Sequence, residues 1–143
     1  MRYMGLDIGD KTVGVAVSDP LFISANGITT IERVGIRKDT GKILDLVKEY
    51  EVSLIVAGLP LMLDGSDSPQ TEKVREFVRM LENKLRSSGL AGVGIVFQDE
   101  RFTTKIAESV LIEANMRREK RKEIIDRQAA VIILQSYLDS HRN

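Results

Sequence analysis

The sequence predicts an α/β domain built on a mixed five-stranded sheet with helices on both faces. Two observations lead to this fold class. The first part of the chain reads as three consecutive strands, and the rest alternates strands with helices, giving the order β-β-β-α-β-α-β-α-α. Strands joined by tight turns pair antiparallel, whereas strands separated by a helix pair parallel, so the sheet should be mixed. A length of 143 residues suits one domain.

The opening elements are predicted from apolar patterning and turn residues. Residues 2–8 and 11–19 read as strands, and the Gly9-Asp10 turn between them predicts a hairpin. Residues 23–33 form the third predicted strand, with an irregularity at Asn26-Gly27. A helix should follow, because apolar residues recur at helical spacing at Ile43, Leu46, Val47 and Tyr50.

The later elements alternate. The β-branched run at 52–60 fits a central strand, and Ser68-Pro69 then opens a helix. Residues 93–98 read as the fifth strand, and Thr103 or Thr104 should cap a further helix. A last helix should run from about Glu123 to Leu138. Ligands of such sheets gather where the strands end, so polar residues at those ends are the candidate site.

The composition excludes several classes of chemistry. The chain has no cysteine, which removes disulfides, thiol nucleophiles and cysteine-ligated zinc. Its single histidine, His141, lies next to the C-terminus, which argues against a Ser-His-Asp triad. No signal-peptide pattern and no apolar run of about 18 residues occurs, so we expect a soluble cytoplasmic protein with no membrane partner. The formal net charge of zero does not by itself indicate a nucleic-acid binder.

Three acidic sites stand out because their neighbours are apolar. Asp7 lies in "MGLDIGD", where burial of an ionised carboxylate is costly unless something pairs with it. Asp99 and Glu100 directly follow the fifth strand, and Asp126 shares a helix face with Ala129, Ala130 and Ile133. Each of these acids also has a structural interpretation, as a turn residue, a helix cap or the partner of a neighbouring arginine.

Taken together, these acids suggest a metal site. Carboxylates that meet near neutral pH stay ionised only if a cation lies between them. Oxygen ligands without cysteine or histidine suit Mg²⁺ or Mn²⁺. Such sites often hold two ions roughly 3.5–4 Å apart and cleave phosphodiesters by in-line attack of water. The candidate ligands are Asp7, Asp126 and either Glu100 or Asp99.

Basic residues are the candidate phosphate contacts. Lys11 and Arg101 each directly follow a proposed acidic site. The run "RREKRK" is the densest basic stretch in the chain. A run of this kind is often only a solvated face, but it also suits contacts with phosphates. Its basic residues are Arg117, Arg118, Lys120, Arg121 and Lys122.

Four segments closely resemble the YqgF family, also called RuvX. They are "GLDIGDKTVGVAVSD", "GLPLMLDGSDSPQTEKVREF", "DERFTT" and "DRQAAVIILQSYL", and they cover most of the chain in the family's order. The resemblance implies one ribonuclease-H-like nuclease domain over residues 1–143. It also implies a metal-dependent nuclease whose acidic residues are Asp7, Glu100 and Asp126. The chain departs from the family's common residues at Asp10, Thr12 and Met62, where Thr, Arg and Asn are usual.

The family offers two substrates. It is described as a Holliday junction resolvase and, in bacteria, as a nuclease for the 5′ end of pre-16S rRNA. We therefore expect hydrolysis of structured RNA in ribosome biogenesis, by a monomer or homodimer. Cleavage of a DNA junction is the alternative, and it would need a dimer to cut two symmetric strands. A nucleotide-binding domain of the actin and hexokinase type would need a second similar domain. A non-catalytic nucleic-acid-binding module would have no reason to keep acids that repel phosphate.

Overall fold

The computed structural model describes residues 1–99 and 118–141, with side chains in the last helix described from residue 128 onward. The helix predicted to start at Thr103 or Thr104 therefore lies outside the described residues. The strands are β1 (Arg2–Ile8), β2 (Thr12–Ser18), β3 (Ala25–Glu32), β4 (Val52–Leu59) and β5 (Gly94–Asp99). The helices are α1 (Ile36–Glu49), α2 (Pro69–Ser87) and α3 (Arg118–Ser140).

The five strands form one mixed sheet in the order β3-β2-β1-β4-β5. β2 pairs antiparallel with both β1 and β3, whereas β4 pairs parallel with both β1 and β5. The predicted mixed five-stranded sheet is confirmed. Since β1, β4 and β5 run in the same direction, they all end at the same side of the sheet, at Ile8, Leu59 and Asp99. We call this side the carboxyl end.

The two faces of the sheet pack against different helices, as predicted. On one face, Met4, Leu6 and Ile8 of β1 join a core with residues of α1 and α2, including the fully buried Phe77. The other face contacts α3 along β1, β2 and β3. Its buried residues are Ala16, Val56, Ala130, Ile133, Leu134 and Leu138.

Gly5 determines how closely α3 approaches the sheet. A Cβ atom added at this position would lie 2.7 Å from Cβ of Leu134 and 2.8 Å from the carbonyl oxygen of Ala130. Two residues earlier on the same face, the ring of Tyr3 lies 6.1 Å from that of Tyr137. Later residues of α3 thus meet earlier residues of β1, so the two run antiparallel. The first turns of α3 consequently lie toward the carboxyl end.

Two predicted boundaries were wrong. The last helix begins at Arg118, not at about Glu123, because "REKRKE" consists of strong helix formers. β3 begins at Ala25, because the preceding residues form a turn around Asp19, whose carboxylate accepts hydrogen bonds from the backbone N–H groups of Ile23 and Ser24. The irregularity predicted near Asn26-Gly27 is confirmed by a register shift in the pairing of β2 with β3.

Candidate functional site

Asp7 lies on the α3 face of β1, next to the last residue of the strand. Strand alternation sends Leu6 and Ile8 into the core under α1 and α2, and it sends Gly5 and Asp7 to the other face. Asp7 is half-buried, so its carboxylate does not bear the full cost of burial. The residue opposite it on β2 is Gly14, which contributes no side chain beside the carboxylate. The strand thus presents a half-buried acid near its carboxyl end.

The turn after Asp7 is fixed by backbone contacts and by one arginine. The N–H of Gly9 donates to the carbonyl of Thr12 at 2.9 Å, and the carbonyl of Gly9 accepts from Nη1 of Arg33 at 2.9 Å. Asp10 and Lys11 follow at the exposed tip of the turn. Asp10 pairs with Lys73 of α2 at 3.2 Å. The predicted phosphate contact Lys11 is therefore exposed at the carboxyl end, close in sequence to Asp7.

Arg33 is held by a buried acid that the sequence did not reveal. Asp39 is fully buried and pairs with Nε of Arg33 at 3.0 Å. Burial raises the pKa of Asp39, but hydrogen bonds from the N–H of Val34, from Arg33 and from the N–H of Gly35 outweigh it, and the pKa is lowered. This ion pair connects the start of α1 to the turn after Asp7. The one sequence signal for it is an acid in the first turn of a helix.

Asp99 and Asp7 lie on opposite faces of the sheet. In β5, Ile95 packs against the core under α1 and α2, whereas Val96 packs against the core under α3. Asp99 follows Ile95 at an even spacing and so belongs to the α1 and α2 face. Glu100 lies outside the described residues. The structure therefore brings Asp99 to the carboxyl end but not to the face that carries Asp7.

Asp126 is placed by the backbone of α3. It lies one helical turn before Ala130, the residue whose carbonyl packs against Gly5. Since α3 runs antiparallel to β1, position 126 lies farther toward the carboxyl end than Ala130 does. Asp7 likewise lies two residues farther along β1 than Gly5. No cluster of three potential metal-ligating side chains occurs in the part of the chain whose side chains are described, which does not include Glu100 or Asp126.

The basic run begins α3. Arg118, Lys120, Arg121 and Lys122 lie in the first turns of this helix, and those turns lie toward the carboxyl end. Arg101 and Arg117 lie outside the described residues. The same end of the sheet is rich in carboxylates: Asp10, Asp64, Asp67 and Asp99 are all exposed there, in the strand ends and in the loops that leave them. Asp10 and Asp67 are paired there with Lys73 and Arg75, at 3.2 Å and 3.1 Å, so cations of the chain already offset part of this charge.

The arrangement of strands and helices defines a known class of nuclease fold. RuvC of T. thermophilus, in complex with a Holliday junction substrate, matches 98% of this chain and 94% of its own, with a TM-score of 0.61 and 14% identity. The Fowlpox virus resolvase, in complex with Holliday junction DNA, matches all of both chains with a TM-score of 0.64 and 12% identity. The predicted ribonuclease-H-like fold is thereby confirmed.

Sequence comparison identifies the family. Residues 1–140 match the family described as "RuvX: Holliday junction resolvase". A protein of Caldanaerobacter subterraneus is 51% identical over 144 residues, spanning 100% of this chain and 99% of that protein. A protein of Clostridium novyi is 47% identical over 140 residues, spanning 98% and 99%. Both carry the name "Putative pre-16S rRNA nuclease". The chain belongs to the RuvX family, as its motifs predicted.

Proposed function

We propose that this chain is a metal-dependent nuclease that trims the 5′ end of pre-16S rRNA in the cytoplasm. Its full-length similarity to proteins named as pre-16S rRNA nucleases supports the substrate. The observation that carries the chemistry is Asp7, a half-buried acid at the carboxyl end of β1 with a glycine opposite it. In the described ranges, no helix is long and apolar enough to cross a membrane.

The donor set fits Mg²⁺ or Mn²⁺. Asp7, Glu100 and Asp126 would supply hard carboxylate oxygens, and the residue opposite the first of them, Gly14, adds no side chain of its own. Strand alternation favours Glu100 over Asp99 as the second ligand, because Asp99 belongs to the opposite face of the sheet from Asp7. Two bound ions would activate the attacking water and stabilise the leaving oxygen of the phosphodiester.

The remaining residues of the site would bind and orient the nucleic acid. Lys11 is exposed at the tip of the turn after β1, where it can hold a phosphate next to the scissile one. Arg101 directly follows Glu100 and would hold a neighbouring phosphate. The basic residues in the sequence of the first turns of α3 would contact the flanking backbone. The Gly9 turn is held by Arg33 and Asp39, so the position of Lys11 is restrained before the substrate arrives.

Cleavage assays with matched substrates test the proposal. A pre-16S rRNA fragment carrying the 5′ leader and a four-way DNA junction are incubated with Mg²⁺, with Mn²⁺ or with chelator. Wild type should cut the RNA at its 5′ end only when metal is present. Asp7→Asn should lose at least about 100-fold in rate, since even residues that merely support metal ligands cost 10–100-fold. Asp45→Asn makes the same chemical change on an exposed site of α1 and should have no effect. Cleavage of the junction alone would replace RNA processing with the resolvase alternative.

Thermal melting separates a metal ligand from a structural aspartate at position 7. Without metal, Asp7→Asn should be as stable as wild type or more so, because it removes a repelling charge at nearly constant volume. Wild type should gain about 2.7 kcal/mol at a metal concentration 100 times Kd, or about 5–10 °C in Tm. The variant should lose most of this gain. A destabilised variant that still responds fully to metal would refute the assignment.

A further inference from the structure

An aromatic side chain is exposed near the carboxyl end, on the edge strand of the sheet. Phe97 of β5 has 39% of its surface exposed. It lies two residues before Asp99 and, like Ile95 and Asp99, belongs to the α1 and α2 face of the sheet. The exposed part of this phenylalanine gains little from the hydrophobic effect. Burial alone therefore does not explain a phenylalanine at this position of the strand.

A guanidinium lies over this ring. The guanidinium carbon of Arg75 of α2 is 5.5 Å from the ring centroid of Phe97, a cation–π contact. Two hydrogen bonds hold Arg75 in a fork with Asp67, from Nε at 3.2 Å and from Nη2 at 3.1 Å. These bonds lower the pKa of Asp67 and raise that of Arg75, so both groups stay charged. The cation beside the ring is therefore positioned before any ligand binds.

The loop that carries Asp67 is itself well anchored. Oγ1 of Thr71 donates to the carbonyl of Pro60 at 2.6 Å, and the N–H of Met62 donates to the carbonyl of Ser66 at 2.9 Å. Ser68 and Thr71 form a reciprocal cap at the start of α2. The tip of this loop exposes Met62 and Leu63 to solvent. The carboxyl end thus presents apolar and aromatic side chains on a rigid frame.

The local charge decides what can bind to this surface. Asp67 and Arg75 offset each other's charge, so the pair offers no net positive charge to attract a phosphate. A flat ring in contact with a guanidinium favours another flat, polarisable group. Nucleobases bind proteins in this way, by stacking on aromatic rings and guanidinium planes. In a duplex the bases are already stacked on one another, so only an unpaired base can bind here.

We infer that Phe97, with Arg75 over its ring, stacks against an unpaired base where the nucleic acid passes over the α1 and α2 face of the sheet, the face opposite Asp7. The inference rests on the proposed nuclease function and narrows its substrate to RNA with a single-stranded segment flanking the bond that is cut. A paired base at this point would have to leave its helix first. Phe97 of β5, rather than the proposed metal-binding carboxylates, would then discriminate between single-stranded and double-stranded RNA.

Equilibrium binding tests the stacking platform without relying on catalysis. Fluorescence anisotropy in Ca²⁺ buffer measures the Kd of a labelled single-stranded 12-nucleotide RNA and of the same RNA annealed to its complement. Phe97→Leu keeps apolar volume but removes the ring, and it should weaken single-strand binding roughly 5- to 150-fold. Its affinity for the duplex should not change. Phe97→Tyr keeps the ring and should bind like wild type.

Two controls exclude trivial explanations. Leu21→Ala removes an exposed apolar side chain in the loop between β2 and β3, and it should leave both affinities unchanged. The second control uses the wild-type protein. RNA carrying 5-iodouridine should photo-cross-link to Phe97, and peptide mapping locates the cross-linked residue. The inference is overturned if Phe97→Leu binds single strands normally, if it loses duplex affinity equally, or if the cross-link lies elsewhere. It is also overturned if Phe97→Leu only converts a dimer into a monomer.

The outcomes separate this inference from the proposed function. If wild type cuts RNA and Phe97→Leu binds single strands like wild type, the stacking platform fails and the nuclease stands. If no metal supports cleavage of any RNA but the ring still governs single-strand affinity, the nuclease fails and the platform stands as a binding site.

Discussion

Gly5→Ala tests whether the approach of α3 to the sheet sets both stability and the site. The added Cβ would lie 2.7 Å from Cβ of Leu134 and 2.8 Å from the carbonyl oxygen of Ala130. Neither atom is the flexible end of a side chain, so the helix itself has to move. Overpacking of this kind costs about 1–3 kcal/mol. For a domain of this size, we expect Tm to fall by very roughly 2–12 °C.

A displacement of α3 should also affect the proposed metal site. Asp126 lies one turn before Ala130 on α3, so a shift at Ala130 should also move this proposed metal ligand away from Asp7. Urea unfolding measures the stability loss, and the metal-induced rise in Tm measures the site. Gly92→Ala is the matched control, because its Cβ would have nothing within 4 Å. A Gly5→Ala protein with wild-type stability and a full metal response would refute this account of how α3 packs.

Three further predictions address electrostatics. Asp39→Asn should cost about 3–5 kcal/mol at pH 7, because it breaks a buried pair with Arg33. Since the pKa of Asp39 is lowered on folding, its contribution is present above about pH 4 and lost below it, so urea unfolding should show the difference between variant and wild type shrinking toward pH 3; a constant difference would contradict the pairing. Changing Arg118, Lys120 and Arg121 to Gln should weaken RNA binding for all sequences and reduce the slope of log K against log salt by about 2, and an unchanged slope would mean a merely solvated face. Lys11→Ala should raise KM or lower kcat while metal affinity, measured calorimetrically, stays intact; a collapse of metal affinity would instead assign Lys11 to the structure of the site.

Elements with strong local signals were predictable. The first hairpin was predictable from the two apolar runs on either side of Gly9-Asp10. The start of α2 was predictable from Ser68 and Pro69: the helix begins at Pro69, and the side chain of the N-cap Ser68 accepts a hydrogen bond from the N–H of Thr71. The start of α3 was predicted too late, at about Glu123, although the residues of the preceding charged run also favour a helix.

The environment of each acid was less predictable, because it depends on contacts between distant segments. Apart from its place in the first turn of α1, no local feature distinguishes Asp39, which is buried against Arg33, from the exposed Asp45 six residues later. Asp7 looked fully buried from its apolar neighbours, yet it is half-buried because it lies near the end of its strand and faces Gly14. The number of polar contacts an acid makes is fixed by the tertiary arrangement, which no pattern of neighbours encodes.

β1 divides its two sides between stability and function. Met4, Leu6 and Ile8 build the core under α1 and α2, so changes at these positions should act mainly by creating cavities. Gly5 and Asp7 alternate with them on the α3 face, where the first residue sets the distance to the helix and the second supplies the acid. A one-residue shift in the pairing of β1 would therefore turn Met4, Leu6 and Ile8 toward α3 and turn Gly5 and Asp7 into the core under α1 and α2. The apolar residues around Asp7 are thus what holds the carboxylate in register with α3, and this explains why an acid that serves chemistry lies within a strand that reads as core.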